Sequence, residues 1–208
     1  IILGVNAYHA DSAACLVKDG ELLAAVEEER FRRVKHWAGF PLESIRYCLR
    51  EAGVGLADID HVALNRDPRA NFSRKILFTL FHQPGFKTVT DRLRNVRRIR
   101  GVRQTLCENF GLDPSKLKAR IHPIEHHDAH LASAFFVAPF DSAAVVSIDG
   151  FGDFLSVKWG VGQGRHIKNK GAVYFPHSLG LLYSAITQHL GFLRYGDEYK
   201  VMGLAGYG

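Results

Sequence analysis

The chain has 208 residues, of which 47% are hydrophobic, and a formal net charge of +6. This length and composition exclude a disordered or low-complexity chain and predict one large folded domain or two small ones. No apolar run approaches the length of a membrane span and no signal peptide is visible, so we expect a cytoplasmic protein without a membrane segment. The three cysteines, Cys15, Cys48 and Cys107, are far apart, which favours reduced thiols over disulfides.

Three β-strands are predicted to open the chain, at residues 1–7, 12–18 and 21–27. Asp19-Gly20 between the last two strands is a strong signal for a two-residue hairpin, so the strands should be antiparallel. The pattern then predicts, in chain order, a helix at 41–53, a strand at 59–65, helices at 71–81 and 89–110, a strand at 120–125 and a helix at 127–137.

The same order of elements then begins again. The pattern predicts strands at 143–149, 155–161 and 165–170, a helix at 178–190 and an irregular loop at 192–205. This repetition predicts two related α/β subdomains that face one cleft, which is the arrangement of the actin-like ATPase folds. We place the first subdomain at residues 1–140 and the start of the second at 141–208. Both ends of the sequence look cut, so we expect a fragment of a longer protein.

A candidate metal site spans the boundary between these predicted subdomains. His126 and His130 are four residues apart, so on a helix both imidazoles project from one face. Asp149 ends an apolar strand just before Gly150, where a carboxylate is well placed to face a cleft. Two imidazoles and a carboxylate leave positions open for substrate on iron, zinc or manganese. The alternative is a surface helix that carries histidines without binding a metal.

Two hairpin tips are further candidates. His9 follows the first strand, where an imidazole could take a proton from an alcohol or balance a phosphate. The alternative is that its neighbours merely form the turn. The matching turn of the second subdomain is predicted to bind a nucleotide or phosphate through its backbone, at Gly150, Gly152 and Asp153.

Several cations are candidates for contact with an anionic substrate, namely Arg30, Lys35 and Lys200. The alternative for each is an ordinary solvated side chain. An arginine-rich segment at 92–103 could bind nucleic acid, but apolar residues recur every three positions within it. An amphipathic surface helix is therefore the simpler interpretation, and we do not expect nucleic acid as a partner.

Four spaced segments resemble the O-carbamoyltransferase family of the NodU/CmcH type. They are residues 4–14, residues 26–31 with Lys35-His36, residues 126–130 and residues 199–205. The resemblance implies a longer protein, in which an actin-like domain of the ribonuclease H-like type precedes a C-terminal YrdC-like domain that this chain lacks. It also implies transfer of a carbamoyl group from carbamoyl phosphate to a hydroxyl of a small-molecule acceptor, through a carbamoyl-adenylate formed with ATP.

The family's functional residues fall on positions already singled out. Its metal ligands fall on His126, His130 and Asp149, with a further Asp beyond this chain, and its cleft histidine falls on His9. The resemblance implies a divalent metal, for which we expect Fe(II). Gly206 stands where the family usually has Pro, a minor departure. Two alternatives remain, a tRNA threonylcarbamoyl-adenosine transferase-like subunit, which shares the two histidines, and a nucleotide-binding regulatory module without catalysis.

Overall fold

The computed structural model describes residues 1–82 and 101–208. These residues divide into two compact units, each described by itself below. The first unit is Ile1–Pro68 with Ile76–Ile124, and the second is Arg69–Lys75 with Glu125–Gly208. None of the helices within the described ranges has the length and apolar character needed to cross a bilayer.

The first unit contains a five-stranded mixed sheet in the order β3-β2-β1-β4-β5. Its strands are β1 Ile2–Asn6, β2 Ala13–Lys18, β3 Glu21–Glu27, β4 His61–Leu64 and β5 Arg120–Pro123. The first three are antiparallel neighbours, whereas β4 pairs in parallel with β1 and with β5. Asp19 and Gly20 both have positive φ, 53° and 89°, as a tight hairpin requires. The predicted opening strands are confirmed.

The helices of this part of the chain are α1 Glu29–Arg32, α2 Leu42–Glu51, α3 Phe72–His82 and α4 Val102–Phe110. Helices α2 and α4 contribute to the core of the first unit, whereas α3 begins in the second unit and continues into the first. Ile45 and Cys48 of α2 and Leu106 of α4 are fully buried in one cluster with Leu3 and Val62 of the sheet. The predicted helix at 89–110 is described only from Val102 onward, and most of the arginine-rich segment lies outside the described residues.

The second unit repeats the antiparallel start, as predicted. Its strands β6 Ser142–Gly152, β7 Leu155–Gln163 and β8 His166–Tyr174 form a sheet in the order β6-β7-β8. Its helices are α5 His126–Phe135, α6 Leu179–His189 and α7 Glu198–Leu204. Two sheets, each begun by three antiparallel strands and flanked by helices, confirm the predicted α/β fold class of duplicated subdomains.

The compact units divide earlier than the predicted boundary near residue 140. The physical reason is the apolar side of α5. Leu131 and Phe135 are buried against Val145 of β6, so this helix packs on the second sheet although it precedes that sheet in the chain. Below the Phe135 ring lies Gly162 of β7, where a Cβ atom would collide with the ring. The assignment of actin-like subdomains to residues 1–140 and 141–208 stays a prediction.

Two local predictions were wrong. Strand β6 does not end at Asp149 but continues to Gly152, with a shift of register between Ile148 and Gly152, so Asp149 lies in a bulge. The turn after it includes Asp153, as predicted, together with Phe154, with φ of 46° and 77°, whereas Gly150 and Gly152 belong to the strand.

The C-terminal segment also differs from its prediction. Residues 192–205 were predicted as an irregular loop, yet α7 occupies Glu198–Leu204. A polar cluster organises its start: the Asp197 carboxylate accepts a hydrogen bond from Arg194 N at 3.1 Å and lies 2.6 Å from Lys200 Nζ. The glycines of this segment therefore do not prevent helix formation, because side-chain contacts at its first turn fix the backbone.

Candidate metal centre

Three side chains, here called the metal cluster, converge in the second unit: His126 and His130 of α5 and Asp149 of the β6 bulge. The two imidazole Nε2 atoms are 3.1 Å apart. Oδ2 of Asp149 lies 2.8 Å from Nε2 of His126 and 3.6 Å from Nε2 of His130. A divalent ion with bonds of about 2.0–2.2 Å keeps neighbouring ligand atoms about 3–3.5 Å apart. The geometry therefore suits one shared ion, and the ligand role itself stays a prediction.

The electrostatics of the cluster favour positive charge. Hydrogen bonds from His126 and His130 hold the pKa of Asp149 far below its usual range. In return, the bond to Asp149 raises the pKa of His130, despite the opposing effect of burial. The Asp149 carboxylate is thus the negative charge that faces both imidazoles. A carboxylate in this position favours a cation beside it.

The start of α5 is capped by two carboxylates. Glu125 accepts hydrogen bonds from the backbone N–H groups of His127 at 2.9 Å and Asp128 at 3.2 Å. Asp153, 9% exposed, accepts from the backbone N–H of His126 at 3.0 Å. These donors belong to the helix turn that has no intrahelical partner for them. The caps therefore fix the first turn, which carries the first histidine of the metal cluster.

The glycines of the bulge have distinct surroundings. A Cβ atom at Gly152 would collide with the imidazole of His126, so glycine is required there for the histidine to pack. Gly150 has open space on its Cβ side. The predicted binding of a nucleotide or phosphate by Gly150, Gly152 and Asp153 stays a prediction.

Sequence reasoning missed Lys158 of β7. Its side chain is 11% exposed, and its Nζ lies 2.7 Å from Glu125 Oε2 and 2.6 Å from Asp128 Oδ1. Burial lowers the pKa of Lys158, but the hydrogen bonds to Asp128 and Glu125 outweigh it and raise the pKa. No local pattern marks this burial, because the apolar residues of the strand, Val157, Trp159 and Val161, alternate with Lys158 and lie on the opposite face. The lysine ties the start of α5 to the sheet.

Ser178 and Gly180 were missed as well. Ser178 caps α6 by accepting from Leu181 N, and its Oγ lies 2.6 Å from the carbonyl oxygen of Gly150 and 3.1 Å from that of Asp149. Gly180 packs on the same backbone. The start of α6 therefore supports the bulge that presents the Asp149 carboxylate.

His127 stands behind the metal cluster and does not belong to it. The side chain is fully buried, and its Nδ1 lies 2.8 Å from Ser147 Oγ of β6. Burial holds the pKa of His127 below its ordinary value, which favours a neutral imidazole. Its ring meets that of His126 edge-on, with centroids 5.3 Å apart, so it packs as part of the support for the cluster.

His9 lies in the first unit, on the connection between β1 and β2. Tyr8 and Asp11 on either side of it have left-handed φ values of 59° and 60°. Asn6 donates from Nδ2 to the carbonyl oxygen of Asp11 at 2.9 Å, and Ser12 donates from Oγ to that of His9 at 3.0 Å. The loop is thus fixed by side chains at both its ends. A cleft shared by His9 and the metal cluster stays a prediction, because they belong to different units.

The predicted anion contacts have ordinary surroundings. Arg30 is exposed and lies 3.4 Å from Glu27 Oε2, and Lys35 is exposed. Lys200 pairs with Asp197 at 2.6 Å. The substrate roles of Arg30, Lys35 and Lys200 stay predictions.

The sequence of the chain matches a known protein family over its whole length. The family model described as Carbamoyltransferase N-terminus matches residues 1–208. The chain belongs to this family. The resemblance to carbamoyltransferases of the NodU type that the sequence motifs predicted is therefore confirmed.

The family includes longer relatives. The chain is 42% identical over 212 residues to the uncharacterized protein sll1178 of Synechocystis sp., a match that covers 100% of this chain and 34% of that protein. It is 40% identical over 205 residues to the nodulation protein NolNO of Sinorhizobium fredii, covering 98% of this chain and 28% of that protein. The chain spans about a third of the length of these relatives. Among solved structures, YeaZ from Pseudomonas aeruginosa matches with a TM-score of 0.40 and 21% identity, over 82% of this chain and 63% of YeaZ.

Proposed function

We propose that this chain is the carbamoyl-transferring part of an O-carbamoyltransferase. The reaction moves a carbamoyl group from a carbamoyl-adenylate, formed from carbamoyl phosphate and ATP, to a hydroxyl of a small-molecule acceptor such as a natural product or a sugar. Family membership supports the transfer of a carbamoyl group in general. The observation that carries the proposal for this chain is the convergence of His126, His130 and Asp149 on one point.

The donor set suits the divalent metal that we propose, Fe(II). Two imidazole nitrogens and one carboxylate oxygen suit iron(II) and leave further coordination positions open. When bound, the ion would supply a Lewis acid that polarises the carbamoyl carbonyl. The protein's own part is to hold the three donor atoms about 3 Å apart, through the helix caps, Lys158 and the contact with α6.

His9 is proposed as the general base. The acceptor hydroxyl gives its proton to the His9 imidazole while its oxygen forms a bond to the carbamoyl carbon. The bond between that carbon and the phosphate oxygen of the adenylate breaks, and AMP leaves with the electron pair. Because AMP is a good leaving group, positioning and deprotonation of the hydroxyl are the main demands on the protein.

A second domain, a bound nucleotide and a cytoplasmic location are also part of the proposed function. A YrdC-like domain beyond this chain would make the adenylate, and the greater length of the relatives leaves room for it. Gly150, Gly152 and Asp153 are proposed to approach the nucleotide, and Arg30, Lys35 and Lys200 to contact anionic groups. Free thiols at all three cysteines support a cytoplasmic location.

The test is a carbamoylation assay on the full-length protein with carbamoyl phosphate, ATP, Fe(II) and a panel of hydroxyl-bearing acceptors. We expect AMP and a carbamoylated acceptor in equal amounts, and no product without the acceptor. Formation of threonylcarbamoyl-adenosine in tRNA would support the transferase-subunit alternative instead. Nucleotide binding without either product would support the regulatory module.

A further inference from the structure

A second loop of the first unit lies beside the loop that carries His9. We call residues 8–12 the histidine loop and residues 34–40 the bracing loop. Tyr8 N donates to Gly39 O at 3.1 Å, and Ser12 N donates to Trp37 O at 2.9 Å. The Oγ of Ser12, a residue 1% exposed, also lies 2.8 Å from Gly39 O. The two loops are therefore joined through their backbones at the ends of the histidine loop.

A contact between two side chains also joins the loops between these backbone bonds. Nδ1 of His36 lies 2.9 Å from Oδ1 of Asp11. Asp11 is two residues after His9, and its carbonyl oxygen is held by Asn6. The bracing loop is itself fixed at its start, since His36 N lies 3.4 Å from Glu29 Oε2. The contact thus ties the second half of the histidine loop to the bracing loop, which Glu29 supports in turn.

Both residues of this contact have a left-handed backbone conformation. Asp11 and His36 both have left-handed φ values, 60° and 55°, and so does Tyr8 at 59°. Few residues other than glycine adopt such conformations, although Asp and His adopt them more often than most, and surrounding contacts help to hold them. Two left-handed residues that bond to each other, two positions after His9 in the case of Asp11, indicate a loop whose shape is fixed.

Folding stability does not account for this arrangement. The side chains of Asp11 and His36 are 48% and 33% exposed, and ion pairs at such sites contribute little to the stability of a fold. The Asp11–His36 contact therefore contributes little to stability but fixes the shape of the loop. Such a contact has its largest effect where the rate of a reaction depends on the position of a side chain.

We propose that Asp11 and His36 form a latch that positions His9 for proton transfer. Both are positioning residues, because they act through the loop and not on the substrate. The inference rests on the proposed role of His9 as the general base. The proposal also gives a role to His36, which lies in one of the segments that resemble the family but had no function assigned to it.

The kinetic test uses the full-length protein. Asp11→Gly removes the carboxylate while keeping a residue that accepts positive φ, and Asp11→Asn keeps both the positive φ and an oxygen acceptor for His36. We expect Asp11→Gly and His36→Asn to lower kcat for transfer by about 10- to 10²-fold, without changing KM for carbamoyl phosphate or the rate of adenylate formation. Asp11→Asn should restore most of the rate.

A matched control separates the latch from the flexibility of glycine. Asp19 also has a left-handed φ, 53°, at the tip of the neighbouring hairpin, so Asp19→Gly should leave transfer unchanged. The double variant of Asp11→Gly with His36→Asn should be no slower than either single variant, since both remove the same contact. Additive losses would contradict the latch.

A second readout does not depend on activity. We expect hydrogen exchange of the backbone amides at residues 8–12 to accelerate in Asp11→Gly and in His36→Asn, but not in Asp19→Gly. Unchanged exchange in both variants would overturn the latch, whatever the rates. Accelerated exchange in a protein whose wild type transfers no carbamoyl group would keep the latch and refute the proposed function.

Discussion

Gly180 lies directly against the peptide that follows Asp149. A Cβ atom at position 180 would lie 2.5 Å from Gly150 N and 2.6 Å from Asp149 O. Real Cβ atoms do not approach backbone atoms so closely, so only glycine lets the first turn of α6 reach the bulge. This helix thereby supports the backbone that presents the carboxylate of the metal cluster.

Gly180→Ala should therefore weaken metal binding. The methyl group meets backbone atoms, which cannot turn away as a side chain can, so the bulge or the helix must shift. We expect the affinity for Fe(II), or for Co(II) as a probe, to fall by about 10- to 100-fold, as with other losses of outer support. The strain should also destabilise the fold by about 1–3 kcal/mol, measured by denaturant unfolding.

The control for this variant is Gly203→Ala. Gly203 also lies within a helix, α7, but a Cβ atom there would meet no heavy atom within 4 Å. Alanine should leave metal affinity unchanged and favour the helix slightly. Equal affinities of Gly180→Ala and the wild type would show that α6 does not hold Asp149 in place.

Loss of a cluster ligand should have a larger effect than loss of its support. The His130 side chain is 51% exposed, so His130→Asn removes an imidazole without leaving a large buried cavity. We expect metal affinity to fall by at least about 10²-fold, while the unfolding midpoint without metal changes little. His166→Asn, at an exposed histidine of β8, is the control. Stoichiometric metal in purified His130→Asn would rule out this ligand.

Lys158→Met should lower both the stability of the fold and the affinity for the metal, because the lysine holds the start of α5. The variant leaves Glu125, which is 11% exposed, and Asp128 without their buried cation. Because Asp128 is partly solvated, we expect a loss on the order of 2 kcal/mol rather than the full cost of a buried unpaired charge. Lys168→Met on β8 is an exposed control. A variant as stable as the wild type would show that the lysine is dispensable for holding α5.

The fold was predictable where local chemistry is strong. Alternating apolar residues and Asp19-Gly20 identify the first hairpin, and the apolar segment after residue 142 identifies the second start. The four-residue spacing of His126 and His130 likewise predicts that both imidazoles lie on one face of a helix. Their Nε2 atoms are 3.1 Å apart, which agrees with that geometry. The hairpins and the histidine spacing depend on residues that are close together in sequence, so the sequence pattern is enough to predict them.

The remaining features depend on residues far apart in sequence. The bulge at Asp149 is supported by Ser178 and Gly180, some thirty positions later, and no local pattern distinguishes it from a strand end. Lys158 is buried only because Glu125 and Asp128 face it from α5. Tertiary contacts of this kind decide where a carboxylate points, and a single sequence does not display them.

His9→Asn tests the proposed base in the full-length protein. Asparagine keeps a polar side chain of similar reach but cannot accept the hydroxyl proton, so transfer should slow by roughly 10²–10⁴-fold. Adenylate formation, measured by exchange of labelled pyrophosphate into ATP, should persist. Normal transfer by the variant would remove His9 from the mechanism and leave the metal cluster as the reactive group.

Glu28 is a buried carboxylate that unites α1 and α2. Its side chain is 0% exposed, and Oε2 accepts hydrogen bonds from Ser44 N at 2.8 Å and Ser44 Oγ at 2.9 Å. Oε1 accepts from Arg32 Nε at 2.9 Å. Burial raises the pKa of Glu28, but the bonds from Ser44 and Arg32 outweigh it and lower the pKa. The ionised carboxylate therefore stabilises the folded state.

The sign of the pH dependence follows from this shift. A carboxyl group whose folded pKa is depressed adds stability above its unfolded pKa, about 4.3 for Glu, and loses it as pH falls through the folded value. Glu28→Gln should lower stability by about 1–3 kcal/mol at pH 7, because an amide offers one acceptor oxygen to donors that now face an NH₂ group. The difference between wild type and variant should shrink as pH falls below about 4.3.

Hydrogen exchange of the α2 amides gives a local measure of this stability between pH 7 and pH 3. Glu21→Gln, at an exposed glutamate that begins β3, is the matched control and should track the wild type throughout. Comparing variants at each pH cancels the intrinsic pH dependence of exchange and the titration of other carboxylates. A difference between wild type and Glu28→Gln that stays constant down to pH 3 would mean that the cap works without its charge, and that the shape of the side chain alone stabilises α2.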